Sequence, residues 1–280
     1  MPHATASEAP ARLRIDGRDC TVDLAHAASL ALELAFDGRG PTWFGAGAAR
    51  STPHAVAGFS GRVAAGASCN SSRIELTPHC HGTHTECVGH LTSEPCDVAR
   101  VAPLTPLPAW LLSVAPERAA GSGETSDPPP APDDTLLTRR ALSAAWPVAP
   151  PFFPKALIVR TLPNDPAKRH RDYDREPAAF FSVEAAAWLV TQGVEHLVVD
   201  LPSIDRGRDA GRLAAHRVYF GLPPGSTRLA EARRPQATLT ELAYIDAALL
   251  DGPYLLALQL PALAGDAVPS RPVLYRVLEP

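Results

Sequence analysis

Short apolar runs alternate with polar turns rich in proline and glycine, and the period of each run predicts its element. "PKALIVRTL" is an apolar run held between Pro154 and Pro163. That length and punctuation predict a buried strand. In "SVEAAAWLVTQGV", Ser182 offers an N-cap, Glu184 falls in the first turn and Gly193 supplies the stop, so a helix is expected. "EHLVVDLPSID" then predicts a second buried strand ending in a proline turn. Strand, helix, strand in that order argues for the α/β class.

The flanking segments are less regular. "TVDLAHAASLALELAFDGRGPTWFGA" opens as a strand or short helix and ends in a turn around Gly38, Gly40 and Pro41. "RIELTPHC" alternates, which predicts a strand running into a loop at Gly82. "GETSDPPPAPDDT" has no periodicity and reads as a surface excursion or flexible loop. "TLTELAYIDAAL" fits helix or strand equally, and "GPYLLALQLPAL" and "RPVLYRVL" read as closing strands. Residues 1–11 read as a loose tail before a single domain over 12–280, and no internal repeat is visible.

Composition narrows the function classes. The chain has 280 residues, 45% hydrophobic and 20% charged, enough for a substantial core. Its net charge is -4 with no Lys/Arg block, which argues against nucleic acid as a partner. No apolar run reaches the roughly 18–20 residues of a membrane span. The start lacks the charged-then-apolar layout of a signal peptide, so a cytoplasmic protein is expected. The five cysteines (Cys20, Cys69, Cys80, Cys87 and Cys96) form no regular framework and suit a reducing compartment. Cys20 and Cys96 are expected to be small buried residues.

The chemistry concentrates in "TPHCHGTHTECVGH", residues 77–90, which holds four of the ten histidines. A tight turn at Gly82 would let Cys80, His84 and Glu86 converge, a donor set for zinc or a similar divalent ion. His90 is then available as a proton shuttle. A His-rich turn without a metal fits the spacing equally well.

The stretch also resembles a known family. The metal-dependent cyclase family includes bacterial kynurenine formamidases and isatin hydrolases, and its hallmark reads His-x-Gly-Thr-His-x-Asp-x-Pro-x-His. "CHGTHTECVGH" matches it at Gly82, Thr83, His84 and His90, with Glu86 at the Asp position. "GPTWFG", "PKALIVRT", "FSVEAAAWLVTQGVEHLVVDLPSID", "LAAHRVYFG" and "TLTELAYI" resemble further family segments in the right order. The resemblance implies a mixed α/β fold of the swivelling β/β/α type, built around a β-barrel-like core and paired as a homodimer.

The resemblance also implies roles. Cys80, His84, Glu86, His216 and Glu241 would bind the metal, zinc first and manganese second, with Glu86 able to bridge two ions. His90 would be the general acid/base, and Trp43 would line the pocket of a small-molecule substrate. The implied reaction is hydrolysis of an amide C–N bond by metal-bound hydroxide, on an arylformamide such as N-formylkynurenine. Opening of an isatin-like cyclic amide or lactone is the alternative, and a non-catalytic member that has lost its metal is another. His79 and His81 would point to the other face of a strand, behind or outside the site. Each role has a plainer reading: His216 as a helix cap, Glu241 as a solvated helix residue, Trp43 as core. The departures from the hallmark are Cys80 for His, Glu86 for Asp, Val88 for Pro, and a long interval from His216 to Glu241.

Overall fold

Four parallel strands, Leu107–Val114, Ala156–Thr161, His196–Val199 and Thr238–Glu241, form the centre of an 11-stranded mixed sheet. The computed structural model describes residues 10–147, 150 and 152–279. Beyond Leu107–Val114 the sheet continues antiparallel through Gly252–Gln259, Arg271–Glu279, Arg18–Val22 and Ala11–Ile15. Beyond Thr238–Glu241 it continues antiparallel through His84–Glu86 and Ala267–Pro269. The class is mixed α/β with few helices, as expected. Among the described residues the pairing is a path with two ends rather than a closed ring.

Ala156–Val159 and Leu197–Val199 are apolar at successive positions because both faces of these strands are covered. Leu157, Val159, Leu197 and Val199 face a cluster that includes Ala185, Ala186 and Leu189 of the helix Val183–Thr191. Ala156, Ile158 and Val198 face a second cluster with Leu30, Leu256 and Leu274. The helix starts where Ser182 Oγ accepts from Ala185 N at 2.9 Å, and Gly193 follows it at φ +71°. These are the expected cap and stop.

"TLTELAYI", whose pattern fits helix or strand, is a strand at Thr238–Glu241. Two strand neighbours complete its hydrogen bonding, a tertiary cause that local propensity does not carry. The strand expected through "RIELTPHC" ends at Glu75, and Pro78–His81 is one helical turn with proline at its start. Of the expected tail, residues 1–9 lie outside the described residues, and Ala11 already opens a strand. The excursion after Gly123 is tied down, because Glu124 accepts from the backbone N–H groups of Arg139 and Arg140. No helix among the described residues is long and apolar enough to cross a membrane.

One buried side chain predicts the acid limb of stability. His196 is held neutral by burial, aided by the charges of Lys155 and Arg234, which lower its pKa from 6.5 to about 4. The unfolded chain protonates this residue first. The stabilisation is therefore complete above about pH 6.5 and is lost as pH falls toward 4, by up to about 3 kcal/mol. Denaturant unfolding across that range should show the loss, and His196→Gln should flatten it. An unchanged slope in the variant would assign acid sensitivity to other groups.

Candidate metal centre

Sheet pairing explains how distant carboxylates and imidazoles meet. In the strand His84–Glu86, side chains two apart share a face, so His84 and Glu86 point the same way. Thr85 points the other way and pairs with Thr240 Oγ1 at 2.7 Å. Glu241 sits directly opposite His84 in the antiparallel register, which puts it on the same face. Thr83 fastens the entry to this strand: its Oγ1 donates to the Leu242 carbonyl at 2.6 Å and accepts from Leu32 N at 2.8 Å.

His216 arrives from the helix Ala214–Phe220. Asp205 accepts from the backbone N–H groups of Ala215 and His216, and also from His216 Nδ1 at 2.6 Å. One carboxylate thus starts the helix and aims the ring. His216 Nε2 lies 2.9 Å from Glu86 Oε1 and 3.5 Å from Glu241 Oε1. Glu241 Oε1 is itself held by Ile204 N at 2.7 Å. His84 Nδ1 donates to the Gly82 carbonyl at 3.0 Å, so its Nε2 is left facing Glu241 Oε2 at 3.5 Å. His79 Nε2 donates to Asp266 Oδ2 at 2.9 Å, and its Nδ1 lies 2.9 Å from Glu86 Oε2.

These imidazoles share one orientation. The outer N–H of each is committed to an acceptor, a carbonyl or a carboxylate. The inner nitrogen of a neutral ring then presents a lone pair toward a carboxylate oxygen. Lone pairs facing each other at such distances need a positive charge between them. His84 Nε2 and both oxygens of Glu86 are buried and have no aligned hydrogen-bond partner. Buried polar atoms are rarely left so, and a divalent cation would satisfy all three. Two sets of donor atoms lie within 4.8 Å of one another: His84, Glu86 and Glu241, and His79, Glu86 and His90. Glu86 belongs to both. Nitrogen and carboxylate donors fit zinc and manganese alike.

A cavity of about 190 Å³ opens over this floor. His79, Cys80, His90, His216 and Glu241 line it, together with Trp43 and Phe44. Trp43 is braced edge-on by Tyr173, with ring centroids 6.5 Å apart. Gly207 admits the indole: a Cβ there would stand 2.4 Å from the ring carbon Cη2. His90 sits at the cavity edge, with its ring centroid 4.2 Å from that of His79 and its Nδ1 3.4 Å from Asp266 Oδ2.

The sequence itself matches the family model Cyclase, described as "Putative cyclase", over residues 22–206. The chain belongs to the cyclase family. No curated protein matches it. Among solved structures it is similar to isatin hydrolase A from Labrenzia aggregata bound to benzyl benzoate (14% identity, TM-score 0.59). That match covers 90% of this chain and 94% of the other. It is also similar to isatin hydrolase A from Ralstonia solanacearum (14%, TM-score 0.57, 89% of this chain and 91% of that one). A predicted metal-dependent hydrolase from Bacillus stearothermophilus is similar at 14% identity and TM-score 0.55, covering 89% and 98%. At such identities the likeness is one of fold.

In this cyclase-family chain the structure brings His84, Glu86, His216 and Glu241 together around the uncommitted atoms, with His90 and Trp43 on the cavity wall. Cys80 also lines the cavity, but its sulfur belongs to neither set of close donor atoms. Burial pushes its thiol up to about 11, with Asp174 adding to the effect. His79, expected behind or outside the site, is inside it, because a helical turn replaces the expected strand. His81 does turn away, toward the carbonyls of Gly47 and Thr77. His216 does lie in the first turn of a helix, but Asp205 does the capping and the ring faces the centre.

Gly82 needs a different explanation from the expected tight turn. Its backbone is extended at φ 163°, and the constraint is Leu34 Cδ1, 3.2 Å from where a Cβ would stand. Asp205 and Asp266, which orient His216 and His79, carry no local signal in the sequence.

Without an ion, protons carry the balancing charge. Burial opposes ionisation of Glu86, but the charges of His90 and His216 outweigh it and hold the carboxyl well below its usual range. Burial would likewise keep His79 neutral, yet its hydrogen bond to Asp266 and the charge of Glu86 beside it lift it to about 10. A cation would displace those protons, since metal ligation requires neutral imidazole.

Proposed function

We propose that this chain is a metal-dependent hydrolase cleaving the C–N bond of an aryl amide, with arylformamides of the N-formylkynurenine type as the leading substrates. The observation that carries the reading is the floor of the cavity: buried His84 Nε2 and both Glu86 oxygens have no aligned hydrogen-bond partner and converge with His216 and Glu241. The aromatic wall of Trp43 and Phe44 favours a flat, arylated substrate. Ring opening of an isatin-like cyclic amide is the second reading, favoured by the isatin hydrolases among the structures of similar fold.

His84, Glu86, His216 and Glu241 would hold the ion, zinc first and manganese second. When bound, a divalent ion lowers the pKa of a water to about 7 and polarises a carbonyl. Asp205 keeps the His216 lone pair inward, and Ile204 N steadies Glu241. His90, at the cavity edge beside Asp266, takes a proton from the attacking water and delivers it to the leaving nitrogen. Trp43 packs against the aryl ring and excludes water from its face. A cytoplasmic homodimer completes the reading, and its mass in solution tests the pairing.

Metal content of protein purified without added ions is the first test, followed by turnover of arylformamides, isatin-like rings and aryl lactones. Release of formate from an arylformamide is expected. Protein that takes up no divalent ion would remove the basis of the reading. A metal-loaded protein that opens only rings would move the assignment to the second.

A further inference from the structure

We propose that His79, held by Asp266, takes the ligand position that Cys80 leaves, so that the metal centre is a sulfur-free set of histidine and glutamate. The proposal rests on the metal-dependent reading above and names its ligands.

The geometry of one helical turn supports it. Consecutive side chains of Pro78–His81 are rotated by about 100° from one another, so His79, Cys80 and His81 cannot all face Glu86. His81 is directed to the carbonyls of Gly47 and Thr77. Cys80 faces the cavity, apart from both sets of close donor atoms, and its sulfur makes no hydrogen bond to the cluster. His79 alone of the three points its Nδ1 at Glu86 Oε2, at 2.9 Å. Two ligands about 2.1 Å from one ion stand roughly 3–3.5 Å apart, close to that separation.

The opposite edge of the His79 ring supports the same role. Its Nε2 donates to Asp266 Oδ2 at 2.9 Å, which fixes the tautomer and leaves the Nδ1 lone pair inward. A carboxylate behind a ligating imidazole is the usual means of orienting the ring and raising its basicity. Asp205 behind His216 repeats the arrangement. Sheet pairing delivers Asp266: Ala267, the next residue, is the register partner of Glu86. Moving the ligand one residue along a helical turn therefore gives His79 a ready-made partner.

Cobalt(II) substitution tests this without measuring activity. A thiolate ligand gives an intense sulfur-to-cobalt charge-transfer band in the near ultraviolet, and a His/Glu set does not. The wild-type protein loaded with cobalt is expected to lack that band. Competition titrations with zinc should place Cys80→Ser within about twofold of wild type. They should show His79→Ala weakened tenfold or more, and Asp266→Asn weakened roughly 10–100-fold, as loss of a ligand-orienting group does. Circular dichroism checks the fold of each variant, and the wild-type spectrum stands even where a variant fails to fold. A charge-transfer band in wild type that disappears in Cys80→Ser would overturn the proposal and restore Cys80 as the ligand. Equal affinity of His79→Ala and wild type would also overturn it. Uptake of no cobalt, zinc or manganese by wild type would overturn both this proposal and the metal-dependent reading. That outcome is distinct from binding with the wrong ligand.

Discussion

His84→Ala is expected to lose bound metal and turnover together. His84 is buried, its Nδ1 is committed to the Gly82 carbonyl, and its Nε2 has no aligned partner. Among the described residues that nitrogen has no hydrogen-bond partner, so the ring is available for ligation. Removing it takes away one donor beside the buried carboxylates Glu86 and Glu241. Affinity should fall at least about a hundredfold, equivalent to roughly 3 kcal/mol of lost ligation. Turnover should fall with occupancy, because the activated water leaves with the ion. The fold should persist, because the strand keeps its pairing to Thr238–Glu241 and Ala267–Pro269. Parallel measurement of metal content and turnover settles the point. Full occupancy in the variant would place the metal elsewhere.

The parts of this molecule that were legible in the sequence are those with local causes. The helix after Ser182 carries its cap, its acidic first turn and its glycine stop within a dozen residues. The buried strands at Ala156–Thr161 and His196–Val199 are mostly apolar, since core clusters cover both of their faces. The strand at Thr238–Glu241 was ambiguous for the opposite reason. Its pattern is short, and its pairing partners decide its form.

The segment that carries Cys80 departs from the expected strand through a small structural change. The alternation of "RIELTPHC" runs on to Cys80, and Pro78 is compatible with a strand end or with the first residue of a helix. A helical turn instead of a strand changes which neighbour points inward. Asp205 and Asp266 were invisible for a deeper reason. Each acts on a ring from another segment, His216 eleven residues away and His79 far off across the sheet. Nothing around either aspartate marks it as an orienting group. Resemblance to a family supplied the long-range partners His216 and Glu241, which no local pattern linked to residues 77–90.

His90→Ala should separate proton transfer from metal binding. His90 is 27% exposed on the cavity edge, its Nδ1 3.4 Å from Asp266 Oδ2 and Glu86 also close by. It packs against rings rather than into the core, so its loss should leave the fold intact. If it moves the proton to the leaving nitrogen, the variant should keep its metal and lose roughly 10²–10⁴-fold in turnover, the range for a positioned acid or base. Added imidazole should then recover part of the rate, because the vacated edge opens to the cavity. The competing role is ligation, since His90 stands with His79 and Glu86 in one set of close donor atoms. In that case metal affinity would fall together with turnover, and imidazole would restore both by binding the ion. The titration decides between them: unchanged metal affinity with collapsed turnover assigns the proton to His90, and a matched loss of the two removes it from that role.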